Sequence, residues 1–263
     1  MGRNIVLPAL ASTLFVLLPI GRDRLLAALA TRPAPDFIDV FSTSVSEPST
    51  YPSLRIALIA NLGLASVYLA LAYLFSRHLD RPSTRGLGFT PTPLSPYLLA
   101  QLTLGSTALA FGSIAVTAAV FPESLGAEPW QWKSVGLLLS LLALLIAEEC
   151  AFRGYLQRRL LRQWPPALAI GATSIVFVLA HGSTENAICV GLGSLWFGYT
   201  AWRSDSTGIG ISCHIATNTS ASLIHSYFGP VLSATTASKL LGLGIGLLLA
   251  LGLSSAYLQK RQR

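Results

Sequence analysis

The hydrophobic pattern of this chain consists of long apolar stretches separated by short polar segments. Eight stretches approach or exceed the about 20 apolar residues that a helix needs to cross the hydrocarbon core of a bilayer. They cover roughly residues 4–20, 55–76, 96–121, 134–160, 166–182, 186–202, 209–228 and 236–257. The pattern predicts an all-α, polytopic membrane protein with about eight transmembrane helices.

The first stretch is short and contains Pro8 and Pro19. A cleaved signal peptide is the competing interpretation of this segment. Charged residues follow the apolar run at 22–24, and no clear small-x-small cleavage site lies just before them, which favours retention. We expect residues 1–133 to form about three N-terminal transmembrane helices with loops.

Composition supports a membrane protein. Hydrophobic residues make up 52% of the 263 and charged residues only 11%, against roughly 25% in an ordinary soluble domain. The pI near 9.7 does not indicate nucleic acid as a partner, because the basic residues are scattered between apolar runs and form no stripe. The partners that we expect are therefore the lipid bilayer and whatever substrate lies in or beside it.

The basic residues instead predict an orientation, since the cytoplasmic loops of membrane proteins carry more Lys and Arg. With the N-terminus inside, the inner segments hold twelve of them. These twelve are Arg3, Arg77, Arg81, Arg85, Arg153, Arg158, Arg159, Arg162, Arg203, Lys260, Arg261 and Arg263. The outer segments hold six, so we expect an integral protein of the plasma membrane with both termini in the cytoplasm.

Two adjacent glutamates, Glu148 and Glu149, lie inside the fourth apolar stretch. A carboxylate at the centre of a spanning helix is disfavoured by about 2.5 to 3.5 kcal/mol, so each needs a partner or a purpose. Arg153 follows Glu149 by four residues, and on a helix this spacing predicts an ion pair. Glu148 points about 100° away around the helix and requires a different neighbour.

Polar groups that could face Glu148 occur in two later stretches. His181 follows Phe177 by four residues, and Asn218 follows His214 by four, so each pair shares one face of a helix. Taken singly, a membrane histidine or asparagine is often an interhelical hydrogen-bonding group, and the glutamates and arginine could form a packed ion-pair element. Together these residues are the combination expected where water is activated against a carbonyl, which predicts a site inside the helix bundle.

These residues form three motifs in chain order: Glu148-Glu149-x-x-x-Arg153, Phe177-x-x-x-His181 and His214-x-x-x-Asn218. They resemble the motifs of the CPBP family of intramembrane proteases. That family includes the type II CAAX prenyl endopeptidases and the bacteriocin-processing or self-immunity proteins, also called the Abi family. The resemblance covers about 134–228, which we expect to be the catalytic core, and leaves 229–263 as a C-terminal transmembrane helix with a basic tail.

The resemblance implies an intramembrane endopeptidase that cleaves a membrane-associated protein or peptide. Glu148 would act as general base on a water held by His181. His214 and Asn218 would donate hydrogen bonds to the developing oxyanion. The remaining motif residues would support the site: Glu149, Arg153 and Phe177. Prenylated CAAX-type tails, leader peptides and sorting signals stay open as substrates.

Cofactor use has two interpretations. Glu148, His181 and His214 could hold Zn²⁺ with one position left for water. No HExxH motif is present, however, and Glu149 would then have to act as base while pairing Arg153. The sequence therefore favours a mechanism without a metal or other cofactor.

Two other function classes stay open. A proton-coupled carrier would also bury glutamate and histidine in a membrane, and a non-catalytic membrane protein of the bacteriocin-immunity type could share the motifs. No internal repeat of the kind common in transporters is visible.

Geometry adds one condition on the predicted site. In a straight crossing His181 would lie about 15 Å from the depth of Glu148, so the fifth span must be short, tilted or sunken. We expect Gly182 and Ser183 to break this helix at membrane depth, where irregular backbone is tolerated if it lines a wet cavity.

Overall fold

The computed structural model of the chain describes residues 3–29, 54–79, 86–89, 102–112, 115, 135–181 and 187–228. These residues form seven helical segments, and none of them lies in a β-strand. The segments are α1 (Arg3–Leu29), α2 (Leu54–Leu74), α3 (Leu102–Gly112), α4 (Val135–Glu149 and its continuation), α5 (Pro166–His181), α6 (Ala187–Ser204) and α7 (Thr207–Phe228). The all-α prediction is confirmed for this part of the chain, whereas the predicted eighth span at 236–257 lies outside it.

Helix α1 is longer than the predicted first span and stays helical through both of its prolines. Ser12 Oγ donates a hydrogen bond of 2.8 Å to the carbonyl of Pro8, as hydroxyl groups often do near a helix proline in an apolar environment. Phe15, also on α1, is fully buried. Helix α1 therefore contributes to the core, and its retention in the mature protein stays a prediction.

Helix α4 changes its hydrogen-bonding pattern directly after the two glutamates. The α-helical part ends at Glu149, a π-helical segment follows at Cys150–Gln157, and a last α-helical turn covers Arg158–Leu160. All eight residues of the π-helical segment are buried. Wider turns of this kind are rare and are frequently found at functional sites.

The chain divides into two compact units. The first contains α1, α2, residues 86–89, α4, α5, α6 and the start of α7 up to Ile211, and the second contains α3 and α7 from Ser212 onward. In the second unit, the hydroxyl groups of Thr107 on α3 and Ser220 on α7 lie 3.4 Å apart. The predicted boundaries at 133 and 228 stay predictions.

The core of the first unit is aromatic and surrounds the π-helical segment of α4. Phe15 of α1, Tyr68 of α2 and Phe152 of α4 have ring centroids 5.4 to 6.0 Å apart. Phe177 of α5 meets Phe152 edge to face at 4.9 Å. Such edge-to-face pairs add about 0.5–1.5 kcal/mol each beyond the burial of their surface. The cluster thus packs three helices, α1, α2 and α5, around the segment of α4 that follows the glutamates.

A short loop, residues 86–89, fixes the end of α4 to the start of α7. The backbone N–H of Thr207 donates to the carbonyl of Gly88 at 2.9 Å, and its hydroxyl donates to the carbonyl of Leu87 at 2.7 Å. Gly88 has a φ of 76°, and a Cβ there would overlap the guanidinium of Arg158. Glycine is required at this position for both reasons.

Large apolar side chains cover the outward faces of the helices in the first unit. Ile59 is 68% exposed, Ile175 63% and Leu168 60%. Extended apolar surfaces of this kind mark contact with a membrane or another protein. Within the described residues, Leu58–Arg77 alone meets the length and hydropathy that a membrane crossing requires, and shorter apolar helices lie at Pro8–Gly21, Leu102–Gly112 and Pro166–His181.

Candidate active site

The predicted ion pair between Glu149 and Arg153 is present. Arg153 Nη1 donates to Glu149 Oε1 at 2.8 Å, and neither side chain is accessible to solvent. The pair forms across the junction where α4 changes from α- to π-helical turns. The acid-first spacing of four residues was therefore a sufficient signal for this contact.

Arg153 also binds helix α6, which the sequence motifs did not indicate. Its Nη2 donates to the hydroxyl of Ser194 at 2.7 Å and to the carbonyl of the same residue at 3.0 Å. Charge-assisted hydrogen bonds of this kind are roughly twice as strong as neutral ones. Arg153 thus ties α4 to α6 through two short hydrogen bonds, in addition to its bond with Glu149 on α4 itself.

Two aromatic rings pack against the guanidinium of Arg153. Its Cζ lies 4.5 Å from the ring centroid of Phe177 on α5 and 5.5 Å from that of Phe197 on α6. A cation placed over such rings is stabilised by about 2 kcal/mol when it is removed from water. Phe177 therefore contacts α4 through Arg153, while its role in supporting the site stays a prediction, and Phe197 is a second ring that the motifs did not indicate.

Glu148 is buried, with 7% of its surface exposed. It lies near enough to Arg153 for an electrostatic interaction between the two side chains, although Glu149 makes the direct hydrogen bond. The two adjacent glutamates therefore have different environments. Glu149 is fixed by its hydrogen bond from Arg153, while Glu148 lies in the electrostatic field of the same cation.

His181 ends helix α5 and is oriented by its own helix. Its Nδ1 lies 2.8 Å from the carbonyl oxygen of Phe177, and its ring centroid lies 4.4 Å from that of Phe177. A carbonyl only accepts, so Nδ1 carries the proton in this contact, and in the neutral form of the ring Nε2 is an acceptor. Such an acceptor can hold a water molecule, because the water donates one of its protons to it in a hydrogen bond.

Helix α5 corresponds to the predicted fifth span, which had to be short, tilted or sunken for His181 to reach the depth of Glu148. Its 16 residues extend about 24 Å, which is less than the about 30 Å of a hydrocarbon core. The helix starts at Pro166 and ends at His181. The predicted break at Gly182 and Ser183 lies outside the described residues.

His214 and Asn218 both lie on α7 in the second unit, one helical turn apart. His214 is buried, with 4% of its surface exposed, and Asn218 is half-buried. They share a helix as their spacing predicts. Their approach to Glu148 and His181, which belong to the first unit, stays a prediction.

Small residues allow α6 and α7 to approach α4 closely. A Cβ on Gly210 of α7 would lie 3.1 Å from Glu149 Oε2, and one on Gly198 of α6 would lie 2.7 Å from Gln157 Oε1. Gln157 Nε2 donates to the carbonyl of Gly198 at 2.9 Å. The run of small residues at 191, 194, 198 and 201 was a signal for this close packing, since membrane helices use small residues at their interfaces.

The mechanism without a metal, which the sequence favours, stays a prediction. Among the described residues, no group of three or more His, Cys, Asp or Glu side chains could hold a metal ion. Zinc dependence is therefore a question for a chelation experiment.

Residues 130–220 match the family model described as Type II CAAX prenyl endopeptidase Rce1-like. The match contains all three motifs and covers most of the segment that the resemblance had marked. No curated protein and no solved structure matches the chain. In this segment, which makes up about a third of the chain, the protein is similar to the type II CAAX prenyl endopeptidases of the Rce1-like family, a family of integral membrane proteases.

Proposed function

We propose that this protein is a glutamate-dependent intramembrane endopeptidase that hydrolyses a peptide bond near the membrane in a CAAX-type tail or another membrane-associated peptide. One observation carries the proposal. Inside the segment that matches the protease family, Glu148 is buried beside an ion pair that already occupies the neighbouring glutamate. Because Glu149 makes the direct hydrogen bond to Arg153, we assign the role of general base to its buried neighbour Glu148.

In the proposed mechanism, Glu148 takes a proton from a water molecule while the water oxygen bonds to the scissile carbonyl carbon. The carbonyl oxygen becomes an oxyanion, and His214 and Asn218 donate hydrogen bonds to it. Collapse of this intermediate breaks the C–N bond, and the proton on Glu148 passes to the leaving amine. Preorganised donors in a water-poor site usually supply a large part of such a rate enhancement.

Positioning of the water is assigned to His181. The Nδ1–H of this ring is engaged by the carbonyl of Phe177, so Nε2 can accept a hydrogen bond from the water. The ring of Phe177 packs against both His181 and Arg153, so it links His181 to α4. Glu149 and Arg153 act as positioning residues in this scheme.

The deciding experiment incubates purified wild-type protein and Glu148→Gln with lipidated and unlipidated peptides that carry a free C-terminus, followed by mass spectrometry of the products. We expect Glu148→Gln to lose most turnover at an unchanged thermal midpoint. Cleavage by the variant at the wild-type rate would refute the assigned base. Solute uptake in vesicles that depends on Glu148, without peptide cleavage, would favour a carrier, and full biological activity of the variant would favour a non-catalytic immunity protein.

Two further arms of this experiment test the cofactor and the oxyanion site. A chelated sample should keep its activity, and recovery only on addition of Zn²⁺ would refute the metal-free mechanism. Asn218→Ala should lower kcat by about 10² to 10³ if it binds the oxyanion. An interhelical hydrogen bond would instead contribute only about 0.6 kcal/mol to stability. His225→Ala is the control, since His225 lies about 16 Å along α7 from His214.

A further inference from the structure

We propose that the hydroxyl of Thr217 on α7 binds the substrate, by donating a hydrogen bond to a backbone carbonyl of the peptide next to the scissile bond. Thr217 lies outside the three motifs, between His214 and Asn218 in the sequence. The inference rests on the proposed function, because it adds one substrate contact to the site that contains those two residues.

The side chain of Thr217 is buried, yet its hydroxyl makes no hydrogen bond to any described residue. Only 7% of the residue is exposed, and Oγ1 has no partner in the part of the chain that the structure describes. Buried polar groups in native proteins are almost always paired, because an unpaired group has lost its bonds to water without replacement. The hydroxyl of Thr217 therefore indicates a partner that joins the site from outside the chain.

Thr217 does not use the acceptor that most helical hydroxyl groups use. Serine and threonine in a helix often donate to the carbonyl of the residue four positions earlier. Hydroxyls that do so in this chain belong to Ser12, Thr13, Ser66, Thr173, Thr200 and Ser204. For Thr217 this acceptor would be the carbonyl of Cys213, and no such bond is formed. Its hydroxyl hydrogen is therefore available for another acceptor.

The position of Thr217 on α7 places it beside the proposed oxyanion site. His214 lies three residues before it, and at this spacing on a helix the Cβ atoms are about 5–6 Å apart. Successive residues of an extended peptide are spaced by about 3.3–3.6 Å. A peptide with its scissile carbonyl at His214 therefore brings a neighbouring carbonyl within reach of Thr217. Asn218 points about 100° away around the helix, so we assign Thr217 and Asn218 to different carbonyls.

Helix α3 borders the same side of α7. The hydroxyl of Ser220, one turn after Thr217, lies 3.4 Å from that of Thr107 on α3. Around the helix axis, Thr217 lies about 60° from Ser220 and about 60° from His214, on the side between them. Thr217 is thus at the edge where the surface that meets α3 adjoins the surface that carries His214. We expect the bound peptide to lie along this edge of α7.

Burial does not distinguish Thr217 from the groups that we assign to the chemistry. His214 and Glu148 are buried to a similar degree. The opening that admits a peptide to His214 therefore also serves Thr217, which lies one turn further along the same helix.

The experiment compares Thr217→Val, Thr217→Ser and Thr200→Val with wild type, as purified full-length proteins. Valine matches the shape of threonine but lacks the hydroxyl, whereas serine keeps the hydroxyl. Thr200 is the matched control, because its side chain is also buried and its hydroxyl is bonded within α6. Thermal unfolding gives the stability of each variant, and cleavage of a peptide gives kcat and KM.

We expect Thr217→Val to unfold at or slightly above the wild-type temperature, because it removes a hydroxyl that has no partner in the described chain. Its KM should rise about fivefold, as for one hydrogen bond between uncharged groups, with kcat within about twofold of wild type. Thr217→Ser and Thr200→Val should keep the wild-type KM. A lower unfolding temperature of Thr217→Val would assign the hydroxyl to the fold, and an unchanged KM would exclude the substrate contact. Either result overturns the inference.

A measurement on modified peptides separates this inference from the proposed function. Two peptides carry an alkene in place of the peptide bond on one or the other side of the scissile bond. Their Kd values are measured with Glu148→Gln, which should not cleave them, and with Glu148→Gln/Thr217→Val. The second substitution should weaken the parent peptide about fivefold and one alkene peptide not at all, because that peptide lacks the carbonyl that Thr217 binds.

Equal weakening of the parent and both alkene peptides would refute the contact with Thr217, while the proposed peptide hydrolysis would stand. A wild-type protein that neither binds nor cleaves any peptide would refute the proposed function, and this inference with it.

Discussion

Arginines on consecutive turns of α4 occupy opposite environments. Arg153 is inaccessible to solvent, and its guanidinium has a carboxylate, a hydroxyl, a carbonyl and two aromatic rings around it. Arg158 keeps 19% of its side chain exposed, and its partner Asp205 keeps 52%. The same side chain thus serves once as a fixed internal support and once as part of a solvated, basic surface.

This comparison indicates that burial, rather than the presence of an ion pair, determines how much each arginine contributes to the free energy of unfolding. Removing one partner of a buried pair strands a charge that has no water to replace it. Removing one partner of an exposed pair leaves a charge that solvent and salt can screen. Substitutions at matched positions in the two regions should therefore differ severalfold in their effect on the free energy of unfolding.

The largest effect is expected for Glu149→Gln. Gln keeps the shape but not the charge, so Arg153 loses its carboxylate in a site without solvent, at a cost of about 3 to 5 kcal/mol. Chemical denaturation in detergent micelles measures this cost. Glu148→Gln is the control and should stay near wild-type stability, because Glu149 keeps its bond to Arg153. Equal losses in the two variants would contradict the division of roles between these glutamates.

Ser194→Ala should have the next largest effect. It removes the hydroxyl that accepts a 2.7 Å bond from Arg153, and hydrogen bonds to charged groups contribute about 1.5 to 3 kcal/mol. Thr200→Val, on the same helix, is the matched control. The Thr200 hydroxyl bonds only to carbonyls of α6 itself, those of Trp196 and Phe197, so its loss should be nearly neutral. An equal loss of stability in Thr200→Val and Ser194→Ala would contradict the special role of the buried Arg153 site.

Gly198→Ala tests the close packing of α6 against the π-helical segment. The added methyl group would lie 2.7 Å from Gln157 Oε1 and 3.0 Å from Ile170 Cγ2, so a buried side chain must move, at about 1 to 3 kcal/mol. Gly171→Ala on α5 meets nothing within 4 Å and should gain up to about 1 kcal/mol instead. Thermal unfolding of the two variants side by side gives the sign of each change.

Asp205→Asn should have the smallest effect. The pair with Arg158 is exposed, so its loss should cost less than about 1 kcal/mol, and the cost should shrink further as salt is raised. Asparagine tolerates the φ of 50° at this position, which keeps the backbone comparable. A loss at Asp205 as large as that at Glu149 would show that exposure does not separate the two regions.

Local sequence determined the positions of the helices and one contact of the site. The predicted spans 166–182, 186–202 and 209–228 correspond closely to Pro166–His181, Ala187–Ser204 and Thr207–Phe228. An apolar stretch of a given length folds as a helix in lipid whatever surrounds it, because its backbone must satisfy its own hydrogen bonds. The Glu149–Arg153 pair followed for a similar reason, since both residues lie on one helix at a fixed spacing.

The tertiary structure alone decided which residues pack against α4, the helix that carries Glu148, Glu149 and Arg153. Ser194 and Phe197 became partners of Arg153 because α6 crosses α4 at that depth, and no spacing along the chain encodes such a crossing. The π-helical turns at Cys150–Gln157 and the contact of Arg158 with the 86–89 loop likewise depend on neighbouring elements distant in sequence. Periodicity reports which residues share a helix, whereas the partners of a buried charge depend on how separate helices meet.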